Sequence, residues 1–145
     1  MASAERRAGR PSGASPDHLS NFSPFHSPLM SGRVAELTIK EGMPTADEAR
    51  RRLAVELDVA RRQGVRILKL IHGYGSSGVG GKLRRALRRT LTERQAELRL
   101  GRVVPGEAWS IFDETARALL DDYPELRRDA DLERGNAGVT LVELR

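Results

Sequence analysis

Two hydrophobic periods alternate along this chain, and their order predicts an architecture. Val34 to Ile39 show the tight spacing of a short strand, which Gly42-Met43-Pro44 breaks. From Thr45 the period lengthens. Ala49, Leu53, Leu57 and Ala60 fall on one stripe of a helix, Thr45 and Glu48 have the spacing of a capping box, and Gly64 ends the run. Val65-Arg66-Ile67-Leu68-Lys69-Leu70-Ile71 is nearly continuous in apolar character, the pattern of a strand buried on both faces. After a glycine-rich stretch, Leu83, Leu87 and Leu91 recur every four residues around Ala86, predicting a basic helix to about Leu98. Gly101-Arg102-Val103-Val104 opens a third strand and Gly138 to Leu144 supplies the last. Between them an amphipathic segment begins at Ser110, with Phe112, Ala116, Leu119, Leu120 and Tyr123 inward, and stops at Pro124. Trp109 with Phe112 is expected to anchor this extra helix, and Asp113 or Glu114 to cap it. The predicted order is βαβαβ(α)β: a small two-layer α/β sandwich built on a four-stranded mixed sheet.

Residues 1–33 break these patterns. Ser15-Pro16, Ser23-Pro24 and Ser27-Pro28 punctuate a stretch of small and polar residues, which reads as a disordered leader before one domain at 34–145. Arg6-Arg7 lacks the apolar segment of about 7–15 residues that a twin-arginine signal requires. An organellar transit peptide is the alternative to a simple tail. No apolar run approaches the roughly 20 residues needed to cross a membrane, so the expectation is a cytoplasmic protein without a membrane partner.

The richest chemistry lies between the second strand and the basic helix, in His72-Gly73-Tyr74-Gly75-Ser76-Ser77-Gly78-Val79-Gly80-Gly81-Lys82. Glycines let backbone N–H groups approach an anion, and a helix N-terminus adds unpaired donors and positive potential. Lys82, Arg84 and Arg85 lie in or near the first turn, where a cation opposes the helix dipole by roughly 0.3–1 kcal/mol unless an anion joins it. Two familiar nucleotide motifs do not fit. Gly73-x-Gly75-x-x-Gly78 matches a dinucleotide fingerprint as a string, but Glu93 and Glu97 fall in helix-like sequence where an acid at a strand end is required. A P-loop needs glycine at Ser76 and a hydroxyl at Leu83.

Composition narrows the rest. The chain has 145 residues, 39% hydrophobic and 4% aromatic, enough for one modest core. It has no cysteine and three histidines, of which His18 and His26 lie in the leader, so no metal site is predicted. The net charge of +5 is unevenly spread: residues 34–104 hold 16 basic and 8 acidic residues, whereas 105–145 hold 5 and 10. The positive field therefore surrounds the glycine-rich stretch and favours polyanions. All but Lys40, Lys69 and Lys82 of these basic residues are arginine, a bias that genome composition also produces.

His72-Gly73-Tyr74-Gly75 at the end of the second strand and the closing Gly138-Val139-Thr140-Leu141-Val142-Glu143-Leu144 make the span from Val34 to Leu144 resemble the Smr (small MutS-related) domain, as a divergent stand-alone member. The resemblance implies a compact α/β sandwich that binds nucleic acid, often with endonuclease activity on DNA or RNA. Where the family carries Leu-Asp-Leu-His-Gly, this chain reads Leu37-Thr38-Ile39-Lys40-Glu41-Gly42, so the usual aspartate and histidine are replaced. Glu41 is the nearest substitute, shifted by one inserted residue.

His72 is the candidate acid or base, or a donor to phosphate; its bland alternative is a bond to a neighbouring loop. Tyr74 is a candidate base-stacking residue or mere packing. Lys40, Gly73, Gly75, Ser76, Ser77, Lys82, Arg84, Arg85 and Arg88 complete the expected phosphate-binding set, with selectivity for structure rather than sequence. Magnesium or manganese is expected only in a nuclease. The leading function is thus nucleic-acid binding, with endonucleolytic phosphodiester cleavage as its finer form. A non-catalytic module for RNA, ribosomes or branched DNA is the alternative, and a small-molecule site for one phosphate is the third reading. The acidic segment from Asp113 to Glu133 is a candidate nucleic-acid mimic.

Overall fold

A computed structural model of the protein describes residues 33–40, 42–73 and 79–145. The elements follow in the expected order: β1 (Val34–Thr38), α1 (Ala46–Arg62), β2 (Ile67–Ile71), α2 (Val79–Glu93), β3 (Leu100–Pro105), α3 (Glu114–Asp122) and β4 (Val139–Leu144). Short 3₁₀ turns at Gly106–Ala108 and Pro124–Arg128 flank α3. The leader, apart from Arg33, lies outside the described residues.

The sheet is mixed, in the order β1-β2-β4-β3. β1 runs parallel to β2, and β4 is antiparallel to both β2 and β3. Its two faces are covered unequally. Leu37, Ile39, Leu68, Leu70 and Val142 pack against Leu53 and Leu57 of α1 and Leu83, Leu87 and Leu91 of α2. Val34, Ile67, Val104 and Leu141 on the other face pack against Trp109, Leu119, Leu120, Tyr123 and Leu126. The segment after β3 therefore adds a partial third layer to the two expected.

Local chemistry explains the helix ends. Thr45 accepts a hydrogen bond from the Glu48 N–H at 3.1 Å, and the Glu48 carboxylate accepts one from the Thr45 N–H at 2.8 Å, closing the capping box. Asp113 caps α3 by accepting from the Ala116 N–H at 2.9 Å. One expectation is corrected. Phe112 is 86% exposed, because it precedes the cap and so lies outside the helical period extrapolated to it. Trp109 alone does the anchoring, 1% exposed, with its indole N–H donating to Asp129.

That partial third layer is fastened by a buried cation. Lys69 on β2 is 4% exposed; its ammonium donates to Asp129 at 2.8 Å, pairs with Asp131, and lies 3.9 Å from Glu36. Burial pushes the Lys69 pKa down, but the hydrogen bonds to Asp129 and Asp131 outweigh it and the net shift is upward. Asp131 in turn accepts from the Asn136 amide, and the Asn136 side-chain oxygen accepts from the Gly138 N–H, both at 2.8 Å. Arg33 closes the same side, donating two bonds to Glu125 and lying 5.0 Å over the Tyr123 ring.

Candidate nucleic-acid interface

The carboxyl ends of the two parallel strands and the start of α2 converge on one rim. Ile39 just beyond β1 donates its N–H to the Ile71 carbonyl, so Lys40 and His72 leave the sheet side by side. Gly73 follows with φ +79°, and a Cβ there would contact Cδ of Lys40 at 3.4 Å. Glycine thus allows the turn and leaves the lysine stem lying across it. Open α/β sheets bind ligands at this end of their strands.

α2 brings cations to the same rim. Its first turn holds no acidic residue, while Lys82, Arg84 and Arg85 lie in or just past it. Among the described residues, Lys40, Lys82, Arg84 and Arg85 make no ion pair. Tyr74, Gly75, Ser76 and Ser77, expected in the phosphate-binding set, lie outside the described residues.

His72 is 0% exposed. Its Nδ1 is 2.8 Å from the Gly73 carbonyl and its Nε2 is 2.9 Å from the Thr140 hydroxyl. A carbonyl only accepts, so Nδ1 carries the proton and Nε2 accepts from Thr140. The backbone N–H groups of His72 and Gly73 both donate to the Gly138 carbonyl, at 3.0 and 3.1 Å. Burial lowers the His72 pKa to about 4; the Gly73 carbonyl opposes the shift, and the nearby Arg88 and Arg84 charges reinforce it.

This burial has a pH signature. An unfolded imidazole titrates near 6.5, so below that pH the unfolded chain takes up a proton that the native state refuses until about pH 4. The native state consequently loses about 3 kcal/mol between pH 6.5 and 4 through this group, and nothing above it. Denaturant unfolding of wild type and His72→Gln across this range should show the difference between them changing by that amount. A constant difference would place the imidazole in water.

Arg88, expected among the phosphate contacts, is engaged inside the protein. Its Nε donates to the Thr140 hydroxyl at 3.1 Å, its two terminal nitrogens donate to the Glu107 carboxylate at 2.9 and 2.7 Å, and Nη2 also reaches the Ala137 and Val139 carbonyls. Glu107 can reach it because the turn at Gly106–Ala108 presses against the loop before β4. A Cβ on Gly106 would overlap the Asn136 carbonyl oxygen. The result is a relay of hydrogen bonds from His72 through Thr140 and Arg88 to Glu107. Thr140 and Glu107 escaped sequence reading because they lie 68 and 35 positions beyond His72. The one available signal was a lone hydroxyl residue inside the apolar β4.

No group of three or more His, Cys, Asp or Glu among the described residues is arranged to hold a metal ion. None of their helices is long and apolar enough to cross a membrane.

Fold and rim together define an α/β domain with a cationic mouth where its parallel strands end. Residues 41–100, from that mouth through both helices to the start of β3, match the family model of the Smr domain. The resemblance to Smr domains read from the sequence is thereby borne out, and the family is known for nucleic-acid binding. Among solved structures the chain is similar to the Smr domain of Thermus thermophilus MutS2, at 25% identity over 78% of this chain and 98% of that one, with a TM-score of 0.45. No curated protein matches this chain.

Proposed function

We propose that this domain binds nucleic acid by its phosphates at the mouth formed by Lys40, Gly73 and the start of α2, selecting structure rather than sequence. The supporting observation is that Lys40 beyond the end of β1 and Lys82, Arg84 and Arg85 near the start of α2 make no ion pair among the described residues, while the first turn of α2 holds no acidic residue of its own. Side chains that oppose a helix dipole gain a counter-charge when a polyanion docks. His72 acts in this reading as a positioning residue. Held by Thr140 and Gly73, it fixes the turn that carries the glycine-rich stretch to the helix. Cleavage, the finer expectation, requires Nε2 to exchange the Thr140 hydroxyl for a substrate oxygen.

Salt tests the reading. With four cations engaged, log affinity against log salt should fall with a slope of about −3 to −4 for duplex or single strand. A slope near −1 would leave a site for one phosphate and overturn the proposal. Denaturing gels run with magnesium or manganese decide the chemistry. Intact substrate supports a binding module, whereas cleavage that His72→Gln abolishes makes the protein a nuclease.

A further inference from the structure

An open cavity of about 260 Å³ lies between α2 and β3, lined by Arg88, Thr92, Gln95, Val103, Pro105 and Thr140. That is just under the usual range for ligand clefts, about 300–1,000 Å³, and suits one flat ring system. We propose that it receives a single unpaired nucleobase from the strand bound at the mouth. This inference rests on the phosphate-binding reading above.

Three features carry it. First, Arg84, Arg88 and Thr92 recur every fourth residue of α2 and Gln95 follows just past its end, so one line runs from the cationic start of α2 to the cavity. Arg85 and Thr92 are only about 10 Å apart along the axis, so a strand held at the mouth reaches the cavity within a few nucleotides. Second, the hydrogen bonds of Arg88 to Thr140, Glu107, Ala137 and Val139 occupy nearly all of its N–H groups. A guanidinium used up at its edges offers a ligand its faces and its stem, and those contacts favour a stacked ring over a phosphate. Third, Val103 and Pro105 supply apolar walls while the rim presents oxygens. The Thr92 hydroxyl donates to the Arg88 carbonyl and the Gln95 amide nitrogen to the Gly101 carbonyl, so the Thr92 lone pairs and the Gln95 carbonyl oxygen remain to accept from a base edge.

The test compares a duplex carrying one bulged 2-aminopurine with the same duplex fully paired, as DNA and as RNA, on the full chain. Wild type should bind the bulged form about tenfold more tightly, the scale of one stacked base, with a change in 2-aminopurine fluorescence. Thr92→Trp and Gln95→Trp both change exposed residues at the cavity mouth. Each should reduce the preference to about twofold or less and leave affinity for the paired duplex unchanged. A preference retained in both folded variants, or absent from wild type, overturns the base site while salt-dependent duplex binding preserves the phosphate reading. Loss of salt-dependent binding to every duplex overturns both.

Discussion

Replacing Lys82, Arg84 and Arg85 together by glutamine is expected to weaken duplex binding about 10²–10³-fold at 0.1 M salt, with the two proteins converging near 1 M. Each neutralised phosphate contributes about 0.9 to the slope of log affinity against log salt, so losing three flattens it by almost 3. The same change should not unfold the domain. None of the three side chains makes an ion pair among the described residues, and removing Lys82 from the first turn of α2 relieves an unfavourable dipole interaction of about 0.3–1 kcal/mol. A binding loss accompanied by equal or greater stability marks residues kept for a ligand. Filter binding across a salt series, paired with denaturant unfolding, checks both halves, and an unchanged slope would remove α2 from the contact.

Lys69→Met should produce the largest loss of stability, about 3–5 kcal/mol at pH 7. Deleting one partner of a buried ion pair leaves the other charged and unsolvated. Here Asp129, whose side chain is 6% exposed, and Asp131 would face the sheet without their cation. Acid should reduce the deficit, because neutralising the pocket removes the negative charge that the substitution leaves without its cation. Adding Asp129→Asn should restore part of the loss for the same reason. The loop held by Lys69 leads to Gly138, whose carbonyl receives the N–H groups of His72 and Gly73. Hydrogen exchange at those two amides should accelerate in Lys69→Met and stay slow if the loop is fixed elsewhere.

These two lysine and arginine sets also separate what the chain displays locally from what it does not. Helix spacing in Ala49, Leu53 and Leu57, the capping box at Thr45 and the apolar run at Ile67 are short-range patterns, and all appear in the fold as read. The cationic start of α2 is legible for the same reason. Lys69, inside a run read as nearly continuous in apolar character, gave no local sign of its role because its acidic partner Asp129 lies 60 positions away. His72 was correctly placed at a strand end, yet its surroundings come from β4, α2 and the turn after β3. Phe112 shows the reverse error, a local period extended past the residue that ends it. The acidic segment from Asp113 to Glu133 reads in sequence as a candidate nucleic-acid mimic. In the fold, Glu125, Asp129 and Asp131 anchor a layer against the sheet.

The position of β4 has a kinetic consequence. It is the last strand in sequence but lies inside the sheet, between β2 and β3. The parallel pair β1-β2 with its helices can collapse early, but β3 has no strand to join until β4 inserts between them, so the sheet cannot be completed piecewise along the chain. Closing it requires ordering the entire acidic segment first, so the sheet stays incomplete until β4 has emerged and refolding is sensitive to that segment. A ribosome still holding residues 139–144 therefore carries the β1-β2 pair with an open edge at Ile67–Ile71 and an unpaired strand at Leu100–Pro105.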